Sequence, residues 1–178
     1  RIGFKQKQQA GIAEARGGRR GPENLWGSAA TGALIAILIG LNLGPQRLLL
    51  VGFAASFAAK LADTFGSEIG KIWGRKTFLI SSLRPVPAGT DGAISLEGTI
   101  ASGIGSFLMT VTTVGLFFSE IGSFAFLVFI AGFLATLFES LIGAIAQKRI
   151  NWLTNEIVNG LQTSFSALMA IYFASLSF

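Results

Sequence analysis

The chain has 178 residues, 51% of them hydrophobic and only 13% charged, with 14 Lys and Arg against 9 Asp and Glu. An ordinary soluble domain carries roughly a quarter of charged residues, whereas here 24–46, 98–119, 121–138 and 157–178 carry none, so a soluble enzyme is excluded in favour of a membrane protein. Cysteine and histidine are both absent, which excludes Cys/His zinc sites, thiol nucleophiles, imidazole bases and disulfides.

In chain order, residues 1–23 form a basic tail containing Arg1, Lys5, Lys7, Arg16, Arg19 and Arg20. The first residue is Arg, not Met, as expected of a chain that has lost or lacks an upstream segment. A helical stretch before Gly17 is expected, followed by a glycine-rich basic turn. Arginine forks there suit phosphate recognition, and attraction to anionic lipid headgroups explains the same residues.

Five spans follow, at about 24–45, 47–63, 95–118, 121–146 and 156–177. Four reach the length of about 20 apolar residues that a bilayer requires; the second is shorter and interrupted by Lys60. The fold expected is all-α, a polytopic membrane helix bundle forming a single domain over 24–178, with a re-entrant loop over 63–98 on the cytoplasmic side. Five spans put twelve basic residues on one side, in the tail, in the second connection (Lys71, Arg75, Lys76, Arg84) and in the fourth (Lys148, Arg149), against Arg47 on the other. The positive-inside rule makes the basic side cytoplasmic, or stromal in a plastid. Basic residues beside spans are topology signals and anion-binding groups, not a nucleic-acid surface.

The carboxylates sort with them. Asp63 and Glu68 are expected at the end of the second span, Asp91 and Glu97 at the start of the third, Glu139 in the inner half of the fourth and Glu156 at the start of the fifth. Carboxylates beside or within spans are costly in lipid and face a cavity or a partner. Asp63, Ser67 and Gly70 share one helical face, while Glu68 lies about 140° from Asp63. Both bind one metal only if the helix bends between them; otherwise they serve different partners.

The stretch from Arg84 to Gly98 contains Pro85 and Pro87, which forbid helix, and Gly89 and Gly92, which permit positive φ. A loop of this kind opening into a helix is an anion or phosphate site. Carboxylates for Mg²⁺, backbone donors and Lys or Arg for phosphates are the ingredients of phosphoryl transfer. The segment Gly70 to Thr77 is not a P-loop, because its glycine–lysine spacing fails. Glu139, Gly143 and Gln147 recur every four residues as a polar stripe on the fourth span, and Asn155, Glu156 and Asn159 form a second one opening the fifth.

Five ordered motifs resemble one family. They are Gly18-Arg-Arg-Gly-Pro22; Asp63-Thr with Ser67-Glu-Ile-Gly70; Gly89-Thr-Asp-Gly92 with Ser95-Leu-Glu-Gly-Thr99; Glu139-Ser with Gly143 and Gln147; and Trp152-Leu with Asn155 and Asn159. The family is the one that includes transmembrane protein 19, the DUF92 family, and the chain is most similar to its plant and cyanobacterial branch of phytyl-phosphate kinases. The resemblance implies conversion of phytyl phosphate to phytyl diphosphate with a nucleoside triphosphate, CTP among the candidates, for phytol salvage and for tocopherol and phylloquinone synthesis. It also implies a cyanobacterial cytoplasmic or thylakoid membrane, or a chloroplast membrane. The family usually has further spans before the basic tail, and it varies at position 91.

The chemistry of the residues then gives the expected roles. Asp63, Glu68, Arg84, Thr90 and Glu97 are the candidate catalytic residues, with Asp63, Glu68 and Asp91 as ligands of Mg²⁺. Arg19, Arg20, Lys60, Ser67, Lys71, Gly89, Thr90, Gly92 and Ser95 are candidates to bind nucleotide and phosphate, and Glu139, Gln147, Asn155 and Asn159 to line the site. A prenyl-phosphate cytidylyltransferase uses the same ligand types, and a phosphorylated-lipid carrier without catalysis is the alternative of another class.

Overall fold

The structure is a computed structural model describing residues 4–9, 11, 21–147 and 149–177; the side chains of Gln6 and Phe118 also lie outside the description. A short helix α1 (Phe4–Gln9) precedes the long helices α2 (Pro22–Gly40) and α3 (Gln46–Trp73). Two short antiparallel strands, β1 (Thr77–Leu79) and β2 (Ala93–Ser95), pair Thr77 with Ser95 and Leu79 with Ala93. Then come α4 (Leu96–Leu116), the single turn α5 (Phe118–Ile121), α6 (Ala125–Ile142) and α7 (Asn155–Ser175).

Four helical stretches among the described residues are long and apolar enough to cross a membrane: Gln46–Trp73, Leu96–Leu116, Ser119–Gln147 and Asn155–Ser175. The all-α membrane bundle is thus as expected. The expected first span, in α2, does not meet that measure, although α2 packs along α3 and α7.

The second span differs most from expectation. It is a 28-residue helix that runs through Lys60 and Asp63 to Trp73, so the segment outside helices begins at Gly74 and not at Asp63. Gly66 and Gly70, which weaken a helix in water, sit here against α4: an added Cβ on Gly66 would collide with Ser102, and one on Gly70 would meet Gly98. Small residues allow this close approach in lipid, and the packing holds the helix intact. Trp73 is followed by Gly74, whose N–H donates to the carbonyl of Gly70 and ends the helix.

Helix α3 is the axis of the bundle, touching α2, α4, α6 and α7. Its Val51, Ala54, Ala55 and Ala58 pack with Val114, Ile121, Phe124, Val128, Ala131, Ala170 and Ala174 in one apolar core. Arg47 closes that end: its guanidinium donates to the Glu120 carbonyl at 2.6 Å and to Ser123 Oγ at 3.1 Å, and lies 5.1 Å from the Phe124 ring centroid. At the opposite, basic end, α2, α4 and α7 begin while α3 ends. Trp26, Trp73 and Trp152 are all exposed there, as tryptophans of a membrane interface are.

Candidate functional site

The basic end of the bundle encloses a cavity of about 180 Å³. Its walls come from Asn24 on α2, Lys60 to Lys71 on α3, the loop Ala88–Ser95, the first turns of α4 and α7, and the last turns of α6. Helices α2, α4 and α7 present their N-terminal turns to it, each lined by a residue of that turn: Asn24, Gly98 and Asn155. Helix N-termini carry partial positive charge and exposed N–H groups, which favours anions.

Lys60 lines the cavity with its side chain largely buried. Its Nζ donates to Asp63 Oδ2 at 2.8 Å and to Asn159 Oδ1 at 3.0 Å, so α3 and α7 are joined across the floor. The partners sit three residues apart on one helix, where side chains meet. Asp91, on the loop, and Glu139, on α6, line the same cavity, and Asp63, Lys60 and Asp91 all act electrostatically on Glu139. Lys71 lines the outer part.

The loop is built by its own turns. Gly89 and Gly92 adopt φ of 85° and 75°, the left-handed region that favours glycine. Thr90 Oγ1 donates to the Pro87 carbonyl at 2.8 Å, the Thr90 N–H to the same carbonyl at 3.2 Å, and the Ala93 N–H to the Thr90 carbonyl at 2.9 Å. The Thr90 amide, expected to cradle phosphate, is thus occupied within the loop. Ser95 caps α4, its Oγ accepting the Gly98 N–H at 3.1 Å. Gly92 presses so closely on the backbone of Ser140 and Ala144 that no Cβ would fit. At that contact α6 leaves α-helical geometry and becomes a π-turn over Gly143–Gln147, a feature often found at functional sites.

Of the residues expected at the site, Lys60, Asp63, Ser67, Lys71, Gly89, Thr90, Asp91, Gly92, Ser95, Glu139, Asn155 and Asn159 line this one cavity. Others do not. Because α3 is unbroken, Glu68 keeps its angular separation from Asp63 and pairs instead with the buried Lys7 of α1. The three carboxylates expected to share a metal therefore divide, Asp63 and Asp91 at the cavity and Glu68 outside its lining. No group of three or more Asp or Glu among the described residues is arranged to hold a metal ion alone. Arg84 is exposed on the hairpin, its carbonyl accepting from the Leu79 N–H at 2.9 Å, and neither it nor Glu97 lines the cavity. The expected four-residue stripe of α6 stops at the π-turn, and Gln147 donates to Asn155 Oδ1 without lining the cavity. Arg19 and Arg20 lie outside the described residues. Thr99, which belongs to one of the family motifs, also lines the cavity, and Asn24, Ser102 and Thr136 are lining residues that the sequence did not single out. Lone hydroxyls in an apolar span read there as interhelical hydrogen bonds.

The profile of the family described as integral membrane protein DUF92 matches residues 1–167. An uncharacterized membrane protein of Synechocystis is 49% identical over 172 residues, covering 96% of this chain and 66% of its own length. Protein VTE6, chloroplastic, of Arabidopsis thaliana is 40% identical over 177 residues, covering 96% of this chain and 53% of its own. An uncharacterized membrane protein of Methanocaldococcus jannaschii is 31% identical over 183 residues, covering 96% of this chain and 68% of its own. The chain thus spans between about half and two thirds of the length of these curated relatives. No solved structure matches.

Proposed function

The chain belongs to the DUF92 family of integral membrane proteins, and we propose that it is a nucleotide-dependent phosphotransferase converting a prenyl phosphate, phytyl phosphate by its resemblance, to the diphosphate. The supporting observation is the single cavity in which Lys60, Lys71, Asp63, Asp91 and the Gly89–Gly92 loop meet from separate elements. Phosphoryl transfer is largely positioning and charge stabilisation, and cations, carboxylates and helix N-termini are what it needs. An oxygen of the lipid phosphate attacks the terminal phosphorus of the nucleoside triphosphate, the bond to the bridging oxygen breaks, and nucleoside diphosphate leaves. The attacking phosphate is already ionised, so no strong base is required, in keeping with a chain that lacks histidine.

Lys60 and Lys71 would neutralise phosphate charge, with Ser67 and the loop amides other than that of Thr90 orienting it. Mg²⁺ is usually held by one or two carboxylates together with substrate phosphates. The cavity carboxylates Asp63 and Asp91 fit that requirement, and a cage of three is not needed. The ion would shield the nucleotide phosphates. In this role the product would serve phytol salvage and tocopherol and phylloquinone synthesis.

The test is incubation of purified protein with phytyl phosphate and each nucleoside triphosphate in turn, followed by mass analysis of the lipid. Phytyl diphosphate is expected. A CMP-linked lipid would make the protein a cytidylyltransferase, and flux across liposomes with no nucleotide turnover a carrier. Asp63→Asn is expected to abolish transfer, while Glu68→Gln, outside the cavity, retains it.

A further inference from the structure

The walls of the cavity are not equally closed. Helices α3 and α4 meet backbone to backbone, a Cβ on Gly105 lying 2.7 Å from the Leu61 carbonyl oxygen. Between α6 and α7, Phe138 and Phe165 stack with ring centroids 4.2 Å apart. Helices α2 and α7 are joined by Thr31 Oγ1, 2.9 Å from the hydroxyls of both Thr163 and Ser164, and Gly27 packs on the Glu156 backbone. Gly32 receives the ring of Phe57 between α2 and α3.

The seam between α4 and α6 is different. It is tied at one level, where Ser106 Oγ donates to the Phe129 carbonyl at 2.7 Å and Phe107 lies edge-on to Phe129 with centroids 6.4 Å apart. Toward the basic end the loop bridges the two helices, where Gly92 sits on Ser140 and Ala144. Between these two ties Thr99 and Ser102 of α4 and Thr136 and Leu137 of α6 all line the cavity, and Gly103 follows Ser102 on α4. A Cβ on Gly103 would meet nothing within 4 Å. Ile100 and Ile104 of α4 and Leu134 and Leu141 of α6 are exposed, as side chains facing acyl chains are.

Resting on the reading that the cavity receives a phosphorylated lipid, we propose that the gap between α4 and α6 is a lateral window through which the lipid's alkyl chain passes from the cavity into the bilayer. The occupant is a single long prenyl or alkyl chain on a phosphate. Charge complementarity orients it, because Lys60, Lys71 and the helix N-termini hold the anionic end inside while the window leads to hydrocarbon. The alkyl chain stays in hydrocarbon on both sides of the window, so the window admits the chain while the phosphate is recognised in the cavity.

The experiment uses the full chain in lipid nanodiscs and a twenty-carbon prenyl phosphate with a diazirine in mid-chain, irradiated and followed by peptide mapping. Labelling is expected on α4 around Gly103 and on α6 around Leu137, competed by unlabelled prenyl phosphate but not by the free prenyl alcohol. A diazirine phospholipid serves as control for labelling from the bulk bilayer. Gly103→Trp and Leu137→Trp, both placed at the window and away from the cations, are expected to weaken retention of the long-chain phosphate by about tenfold while a five-carbon prenyl phosphate binds unchanged. Competed labelling on α2 and α7, or a pattern identical to the control phospholipid, overturns the window. Labelling at the window without any phosphate transfer supports the window and sinks the phosphotransferase; transfer with labelling elsewhere does the reverse.

Discussion

Replacing Lys60 by methionine keeps the aliphatic stem and removes only the ammonium. That ammonium sits 2.8 Å from Asp63 Oδ2 and 3.0 Å from Asn159 Oδ1, with side-chain exposures of 15% for Lys60 and 12% for Asp63. At an effective dielectric of about 20, unit charges at that separation attract by about 6 kcal/mol, and desolvation of both groups offsets much of this. Removing one partner leaves a buried carboxylate uncompensated, so Lys60→Met is expected to destabilise the protein by about 3 kcal/mol. The double variant Lys60→Met/Asp63→Leu removes both charges and is expected to recover most of that loss. Stability is read from tryptophan fluorescence during denaturation in detergent micelles, and prenyl phosphate binding from the same preparations. The double variant should be stable yet unable to retain the lipid phosphate, which separates a structural ion pair from a ligand site. Wild-type stability in Lys60→Met, or lipid phosphate binding retained by the stable double variant, would falsify the account of Lys60 as a held phosphate ligand.

Two further outcomes follow from backbone geometry. Gly105→Ala forces a methyl to within 2.7 Å of the Leu61 carbonyl oxygen and is expected to destabilise the bundle by about 1–3 kcal/mol; Gly115→Ala, with nothing within 4 Å, is expected to stabilise it by about 0.5–1 kcal/mol. The comparison is made by denaturation of the two variants side by side, and the packing account fails if their order is reversed. Gly92→Ala combines a φ of 75° with a collision against Ser140 and Ala144, so the loop should detach from α6. Phosphate transfer is then lost while helicity by circular dichroism is unchanged, and proteolysis between Ser81 and Gly92 accelerates.

The sequence disclosed the bundle because absence of charge over some twenty residues has one common physical cause, burial in hydrocarbon. It also indicated the end of the bundle at which the site lies, since Lys and Arg beside spans sort by side. The length of α3 was hidden: the apolar run ends near Asp63, and it is the packing of α4 on Gly66 and Gly70 that accompanies the helix on to Trp73. The split between Asp63 and Glu68 was legible as an angle, and only the unbroken helix decided it. The stripe Glu139–Gly143–Gln147 assumed α-helical periodicity, which the π-turn at Gly143 cancels. Asn24, Ser102 and Thr136 carried no signal, because a hydroxyl or amide in an apolar run has the same appearance whether it lines a cavity or bonds a neighbouring helix.

Helix α3 rises about 42 Å over its 28 residues, while the hydrocarbon layer is about 30 Å thick. It is therefore longer than the oily slab is thick, and its basic end carries Lys71 and Trp73. Asp63 lies about 15 Å back along the axis from the Trp73 tip, where it meets Lys60, which also holds Asn159. One vessel thus straddles the waterline. In the proposed reaction a hydrophilic nucleotide would descend from the aqueous phase and an amphiphile would arrive sideways from its own leaflet, so neither would cross the medium that repels it before they meet.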